Sequence, residues 1–364
     1  MTRPLAIGYM PLTDAGLLFV ASAKGFDRAE GLLFDLYEET SWANLRDKLT
    51  LRIYDAAHML VPSVIASALG LDGFPAPMIA AVGLGLDGNA ISVAPALAEA
   101  MSAKIDGDAA DPVATARALA GVVAERRAKG LPPLRFAHVF PYSLHHCQLK
   151  LWMRAGGVDP EGVRLTVTPP PLMEESLAGG FVNGFCVGEP WNSLAQRSGA
   201  ARVLHPCRAL FPNCPEKALA FRAGEARIEP ELSRAAARAI RRAALWGENP
   251  ENAKEFVTLI AHALGGAVSP DMISAVLGRD GHGAPWLRLD AGATALAASQ
   301  ALWIYVLMAA CGQTAPSDAQ AELARTAFWP QDGAPPLPSA PAFFEGPFEP
   351  SRWREALAAL EVAR

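Results

Sequence analysis

Apolar and polar positions along this chain follow two rhythms. Up to about residue 190, short apolar runs typical of buried strands alternate with amphipathic segments of helical period. The strand-like runs occupy 5–9, 32–37, 77–82, 89–93, 134–139, 163–167 and 184–188. This βαβα order predicts parallel sheets covered by helices. From residue 229 onward the apolar positions have helical spacing, so we expect a mostly helical C-terminal region.

Two helices carry clear start signals. Ser41 is a candidate N-cap that places Trp42 in a first helical turn, and Ser269 is followed by Pro270 at a first helical position. The other expected helices are 15–24, 95–103, 112–130, 145–155, 233–246, 250–264 and an uncharged helix between residues 290 and 318. Donors at the start of a helix face the edge of the sheet where α/β proteins bind ligands, so the start of the helix at Ser41 is a candidate part of a site.

Proline shapes two further segments. The run at 169–171 is expected to be extended, because proline removes backbone donors and restricts the residue before it. The proline-rich stretch 330–350 is expected to cross the surface as a strap. A last helix should then start near residue 351 and place Trp353, Leu357 and Leu360 on one face.

The sequence GLGLDG at 83–88 formally matches a dinucleotide-binding fingerprint. That fingerprint requires a helix to open at its last glycine, whereas residues 89–93 have the pattern of an extended segment. The glycines are therefore expected to serve a tight turn or a close backbone approach.

Length and charge narrow the function. A chain of 364 residues exceeds the size at which a single core keeps growing, so two lobes are expected. The formal net charge is −5, with no basic cluster of the nucleic-acid-binding type, which argues against direct nucleic-acid binding. An anionic ligand would gain nothing from the overall field of the protein. Any anion site must therefore be built from a few local donors.

The chain carries no pattern for a metal, a cofactor or a membrane span. Its five cysteines lack C-x-x-C spacing and are interpreted as reduced, packed thiols. His138, His145 and His146 do not form a recognised metal spacing. No charged residue lies between Asp290 and Asp318, but only 301–311 is strongly apolar there, short of the roughly 20 residues that span a bilayer.

Five side chains have chemistry that suits an oxyanion. Trp42 and Trp191 each offer an indole donor, Lys217 a compact charge, and His145 and Asn89 further donors. Each also has a structural interpretation: the tryptophans as packing residues, Lys217 as a solvated residue, His145 as a core histidine and Asn89 as a turn residue. His145 and His146 point about 100° apart on a helix, so only one can face a pocket.

These residues lie within an ordered set of short motifs. The motifs are GYMPLTD at 8–14, SW at 41–42, RD at 46–47, HML at 58–60, PPP at 169–171, GFCVGEPWN at 184–192 and PEK at 215–217. The set resembles the nitrate- and bicarbonate-binding proteins of ABC importers, of the NrtA type, and their cytoplasmic nitrate-sensing relatives of the NasS type. The resemblance covers about residues 8–221.

The resemblance implies an α/β, two-lobed type II periplasmic-binding-protein-like fold with a mostly helical C-terminal region and the ligand in a cleft between the lobes. We expect residues 1–92 and 206–364 to form lobe 1 and residues 93–205 to form lobe 2. Carried over by motif, the implied nitrate contacts are Trp42, Asn89, His145, the Gly188 backbone and Lys217, with Glu189 and Trp191 beside them. Asn89 is a departure, since the family member compared has glutamine there.

The residue type at position 217 distinguishes nitrate-binding from bicarbonate-binding members of the family. Bicarbonate-binding relatives have an acidic residue at this position that helps to hold calcium, whereas this chain has lysine, which favours a bare monoanion without metal. Nitrate is a planar acceptor, and the implied contacts are hydrogen-bond donors. Glu189 would repel the ion unless it points away or is itself paired.

The resulting hypothesis is a cytoplasmic, non-catalytic nitrate or nitrite sensor whose lobes close on the anion and thereby control a partner. The cytoplasmic location is inferred because the first strand begins almost at Met1, with no leader-like segment before it. The resemblance implies an RNA-binding antiterminator as the partner. The alternatives are the solute-binding component of a nitrate or bicarbonate ABC importer, and an enzyme of the pyrimidine-synthesis type on the same scaffold.

Overall fold

The structure is a computed structural model that describes residues 2–71, 76–331 and 333–362. The strands of these residues are β1 Arg3–Tyr9, β2 Leu32–Glu38, β3 Ala56–Leu60, β4 Met78–Gly83, β5 Leu86–Asp87, β6 Asn89–Val93, β7 Leu134–His138, β8 Val163–Val167, β9 Gly184–Gly188, β10 Arg202–Pro206, β11 Lys217–Arg222 and β12 Leu287–Arg288.

The helices of the first two thirds of the chain cover the sheets. They are α1 Gly16–Ala23, α2 Phe26–Ala29, α3 Trp42–Thr50, α4 Val61–Ala68, α5 Pro95–Ser102, α6 Pro112–Ala128, α7 Leu144–Ala155, α8 Met173–Ala178, α9 Trp191–Arg197 and α10 Ala223–Ile228. The remaining helices form the predicted helical C-terminal region. They are α11 Pro230–Glu248, α12 Ala253–Leu264, α13 Pro270–Val276, α14 Ala291–Thr294, α15 Ala298–Ala310, α16 Asp318–Arg325 and α17 Trp353–Glu361.

Two five-stranded sheets define two lobes. The first sheet has the order β2-β1-β3-β11-β4 and the second the order β10-β6-β9-β7-β8. β1 runs parallel to its neighbours, whereas β11 is antiparallel to β3 and β4. In the second sheet β6 is antiparallel to both of its neighbours, and β7 is parallel to β8 and β9. The chain therefore crosses between the sheets twice, after β4 and after β10.

The sheet pairing places one lobe boundary differently from the sequence. The boundary predicted between residues 92 and 93 falls inside β6, all of which pairs with β9. Because β6 belongs to the second sheet from its first residue, we propose that lobe 2 begins at Asn89.

The two crossovers are tied together at Asp87, a residue with φ of 64°. Its carboxylate accepts hydrogen bonds from Cys214 N at 3.0 Å and Asn213 N at 3.3 Å, and its own N–H donates to Cys214 O at 2.8 Å. Gly85 and Gly88 also have positive φ, and β6 rather than a helix follows Gly88. The glycines thus serve a tight turn, as predicted, and the dinucleotide-binding interpretation is excluded.

The C-terminal helices pack against both lobes. α15 is buried along most of its length, and Trp303 within it packs against Phe211, Phe344 and Phe348. α15 also contacts α4 of the first lobe. From α7 of the second lobe, Arg154 donates to the carbonyl oxygens of residues 310 and 360. No helix in the described parts of the chain has the length and apolar character needed to cross a bilayer.

Local start signals are mostly confirmed. Ser41 Oγ accepts from Asn44 N at 3.2 Å, and Ser269 caps α13 in the same way. α17 buries Trp353, Leu357 and Leu360, as predicted. The prediction of an extended segment at 169–171 is wrong beyond Pro169, because Pro170–Leu172 forms a 3₁₀ turn. The fixed φ of proline suits a helical first turn, where a missing N–H has no bond to lose.

Candidate functional site

Side chains from both lobes converge where strands begin or end beside the crossovers. Lys217 starts β11 and Asn89 starts β6, while Gly188 ends β9. Trp42 starts α3, and His145 lies in the first turn of α7. Lys217 and His145 are 0% exposed, and Trp42 and Asn89 are 1% exposed. Four of the site residues predicted from the sequence are thus buried side chains that come from both lobes. We call these residues and their polar neighbours the buried polar group.

Lys217 is the charged centre of this group. Its Nζ lies 3.0 Å from Asp14 Oδ2, donates to Asn89 Oδ1 at 2.7 Å and lies 3.9 Å from Glu216 Oε2. Burial would lower the pKa of Lys217, but the charges of Asp14 and Glu216 outweigh burial and raise it. Burial likewise acts to raise the pKa of Asp14, and Lys217 and His58 reverse this and lower it. Lys217 is therefore a permanent cation with a fixed counter-ion.

An ammonium group has three hydrogens, and two of those on Lys217 have acceptors at hydrogen-bonding distance, Asp14 and Asn89. Gly188 lies close to this ammonium group, since an added Cβ would stand 3.3 Å from Nζ and 3.5 Å from Asn89 Oδ1. The absence of a side chain at Gly188 thus lets the strand backbone approach the lysine. A small anion is the kind of ligand that such a charge could accept.

The side-chain amide of Asn89 is fixed by hydrogen bonds to Gln148 and Glu216. Its Nδ2 donates to Gln148 Oε1 at 3.0 Å and to Glu216 Oε2 at 2.6 Å. Gln148 Nε2 in turn donates to Glu216 Oε1 at 2.7 Å. Both amide hydrogens of Asn89 are therefore used within the protein, and this arrangement does not provide the donor to the anion that the sequence predicted.

His145 and Trp42 supply donors with no protein acceptor. Neither ring nitrogen of His145 nor Nε1 of Trp42 has a hydrogen-bond partner among the described residues, although all are buried. Burial, and then the charge of Lys217, lowers the pKa of His145 well below its usual value. His145 is therefore a neutral ring with one N–H donor at neutral pH. The Trp42 ring packs edge-on against His58, which lies 3.1 Å from Asp14.

Glu189 and Trp191 play different parts. The Glu189 backbone joins the lobes, because its carbonyl accepts from Thr13 N at 2.8 Å. Its side chain turns to α9, where Oε2 accepts from Ser193 N at 3.2 Å. Burial raises the pKa of the Glu189 carboxyl to about 7. Trp191 is half-buried, and its Nε1, like Thr13 Oγ1, has no acceptor within the residues that the structure describes.

The other histidines of this region are not part of the group. His146 Nδ1 lies 3.4 Å from His138 Nε2, and His138 Nδ1 lies 2.9 Å from Phe140 O. Within residues 2–71, 76–331 and 333–362, no three histidine, cysteine or acidic side chains are placed to hold a metal ion. As predicted, at most one of the two adjacent histidines, His145, can face the site.

Four residues of the group were not among the predicted contacts: Asp14, His58, Gln148 and Glu216. Asp14, His58 and Glu216 stand in the motifs that carry the family resemblance, but the acidic Asp14 and Glu216 are not residue types that suggest anion binding. Gln148 follows His145 by three residues and so lies on the same face of α7. The spacing from His145 was therefore the sequence signal that could have identified Gln148.

Comparisons with known proteins agree with this architecture. A family model described as the NMT1-like family matches residues 1–261. The nitrate/nitrite binding protein NrtA of Synechococcus elongatus is 32% identical over 269 residues, which are 71% of this chain and 58% of that protein. The bicarbonate transport ATP-binding protein CmpC of the same species is 29% identical over 260 residues, which are 71% of this chain and 37% of that protein. The chain thus spans between about a third and three fifths of the length of these relatives.

A solved structure matches over the whole length. The crystal structure of the periplasmic nitrate-binding protein NrtA from Synechocystis PCC 6803 aligns with a TM-score of 0.83 at 21% identity, covering 99% of each chain. This match confirms the predicted two-lobed type II periplasmic-binding-protein fold.

Proposed function

Because this chain belongs to the NMT1-like family, with relatives named for nitrate and nitrite binding, we propose that it binds nitrate or nitrite between its two lobes. The observation that carries the proposal is Lys217, a fully buried cation, together with the buried Trp42 Nε1 and His145 ring nitrogens, which have no hydrogen-bond partner among the described residues. Buried hydrogen-bonding groups without partners are unfavourable. A small anion between them would supply the missing acceptor.

The proposed contacts follow from what nitrate can accept. The ion is planar and has oxygens that only accept hydrogen bonds. Lys217, the neutral His145 ring and Trp42 Nε1 would each donate one, with the Gly188 backbone beside them. Trp191 would close one side of the site with its ring. The side chain of Glu189 would stay at α9, with only its backbone near the ion. The groups bind and position the anion, and we propose no catalysis.

Lys217 also favours nitrate or nitrite over bicarbonate. The sequence resemblance implies that bicarbonate-binding relatives have an acidic residue at this position that helps to hold calcium, whereas this chain has a lysine. A lysine at the centre of the site disfavours a metal ion there, because two cations would repel each other. Binding without calcium follows from this charge arrangement.

We further propose that closure of the two lobes on the anion is the step by which the protein senses nitrate or nitrite. Contacts that join the lobes, such as Thr13 N to Glu189 O and Ser63 Oγ to Tyr142 O, would form as the lobes close on the anion. In a cytoplasmic sensor, this closure would change the affinity for an RNA-binding antiterminator. By linkage, an anion that releases the partner must bind less tightly to the complex than to the free protein.

The second candidate is a binding component of an importer. It is favoured by relatives named for nitrate binding and for bicarbonate transport. In that role the closed lobes would face a membrane permease instead of an antiterminator. The anion site would be the same, so the two candidates differ in partner and location only.

Titration calorimetry with nitrate, nitrite and bicarbonate, each with and without calcium, tests the ligand. Micromolar nitrate or nitrite binding that needs no calcium is the expected result. Calcium-dependent bicarbonate binding, or binding of none of the three, would overturn the proposal. The sensor role is tested by repeating the nitrate titration on the complex with a co-purified antiterminator. Equal affinities in the free and bound states would contradict release by nitrate.

A further inference from the structure

We propose that Gln148 and Glu216 are positioning residues of the anion site: they hold Asn89 with its carbonyl oxygen on Lys217, so that Asn89 orients the lysine and does not touch the anion. The inference deepens the proposed function and rests on it. Its basis is a closed set of hydrogen bonds among four fully buried side chains from both lobes.

The orientation of the Asn89 amide is determined by Lys217. Lys217 can only donate, so the atom 2.7 Å from Nζ must be the carbonyl oxygen. The amide nitrogen is then the atom that lies 2.6 Å from Glu216 Oε2 and donates to it. Turning the amide over would set two donors against each other on one side and two acceptors on the other.

Gln148 locks this orientation. Its Oε1 accepts the second amide hydrogen of Asn89 at 3.0 Å, and its Nε2 donates to Glu216 at 2.7 Å. The Cys186 thiol, 3.5 Å away, also donates to Gln148 Oε1. Because Gln148 and His145 lie on one face of α7, this helix places one side chain beside Lys217 and the other behind Asn89.

Beyond the effect of its charge on the pKa of Lys217, Glu216 acts on the lysine through Asn89. Its nearest oxygen is 3.9 Å from Lys217 Nζ, beyond hydrogen-bonding distance, whereas both of its oxygens accept amide hydrogens. Two of the three lysine hydrogens are thereby assigned to Asn89 and Asp14. The third hydrogen would then be available to the anion.

A double-mutant cycle tests this assignment. Gln148→Met keeps the length of the side chain and removes both polar atoms, and Asn89→Leu does the same at Asn89. Each is expected to weaken nitrate binding about tenfold or more in calorimetry. Because Gln148 acts through Asn89, the double variant is expected to bind about as weakly as the weaker single variant. Gln300→Met is the matched control, since the side chain of this buried glutamine accepts from Ala297 N and has no other bond to the described residues, so its loss should leave nitrate affinity unchanged.

Two results would overturn the inference while leaving the proposed function in place. One is a Gln148→Met protein that binds nitrate like the unaltered protein. The other is a double variant whose loss is the product of the two single losses. If the variants do not fold, a crystal structure of the unaltered protein with nitrate decides: Asn89 Nδ2 should remain on Gln148 and Glu216, and a nitrate oxygen within 3.5 Å of it would contradict the assignment. Failure of the unaltered protein to bind nitrate would overturn both proposals.

Discussion

At the scale of single residues, substitutions of two buried tryptophans should distinguish an effect on nitrate binding from an effect on stability. Trp42 Nε1 has no acceptor in the described structure, whereas Trp152 Nε1 donates to Pro112 O at 3.0 Å. Trp42→Phe is therefore expected to weaken nitrate binding about 10- to 100-fold, the usual value of a hydrogen bond to a charged group. Trp152→Phe should leave calorimetric affinity unchanged but lower the free energy of unfolding in urea. Similar nitrate affinities of the two variants would remove Trp42 from the site.

The adjacent histidines offer a second residue-scale comparison. His145→Ala is expected to weaken nitrate binding about 10- to 100-fold, because it removes a donor beside Lys217. His146→Ala should change nitrate affinity little, since His146 faces His138. His145 is neutral at neutral pH, so it should add no step to nitrate affinity between pH 6 and 8. A step in calorimetric titrations that disappears in His145→Ala would contradict this protonation state.

At the scale of elements, the end of β9 depends on the lack of a side chain at Gly188. An added methyl group would lie 3.3 Å from Lys217 Nζ and 3.4 Å from Leu12, so the ammonium group would have to shift by a few tenths of an ångström. Gly188→Ala is expected to weaken nitrate binding about tenfold with a small loss of stability. Gly224→Ala in α10 is the control, because nothing lies within 4 Å of its added Cβ. Equal nitrate affinities of the two variants would show that the space beside Gly188 is not used.

Most elements could be predicted from the sequence because their signals are local. β8 and β9 follow from apolar runs, and α3 and α13 from their serine caps. Our proposal that lobe 2 begins at Asn89 rests instead on sheet membership, which depends on partners far along the chain, here β9 for β6. The same reason explains why only part of the site was predicted. Lys217 was found from its motif, whereas its contacts with Asp14 and Asn89 join residues that are far apart in sequence.

At the scale of the whole molecule, buried titratable groups set the pH dependence of stability. Burial raises the pKa of Asp87 to about 6 and those of Glu189 and Glu216 to about 7. The folded chain thus binds these protons more tightly than the unfolded chain, so their contribution to stability is lost as pH rises through 6 to 7. Burial lowers the pKa of four histidines, His138, His145, His146 and His205. Their contribution grows as pH rises through about 6.5, where the unfolded histidines lose their protons, and is lost at lower pH.

The two contributions oppose each other between pH 6.5 and 8. The carboxyl contribution falls as pH rises through 7, whereas the histidine contribution still grows, because half of the unfolded histidines carry a proton at pH 6.5. Glu189→Gln isolates one carboxyl, because the amide keeps an acceptor for Ser193 N and does not titrate. The free energy of unfolding of the unaltered protein relative to Glu189→Gln, measured in urea at both pH values, should therefore decrease from pH 6.5 to 8. A difference that stays constant or rises would contradict the raised pKa of Glu189.

The packing of the C-terminal helices on both lobes limits where this chain can be cut. The family match ends at residue 261, yet Trp303 of α15 lies against Phe211, and Arg154 of α7 bonds to the carbonyl oxygens of residues 310 and 360. A fragment ending at 261 would uncover apolar surface on both lobes and leave that arginine without its acceptors. Such a fragment should aggregate when expressed, so the end of the family match is not a point at which the protein can be shortened.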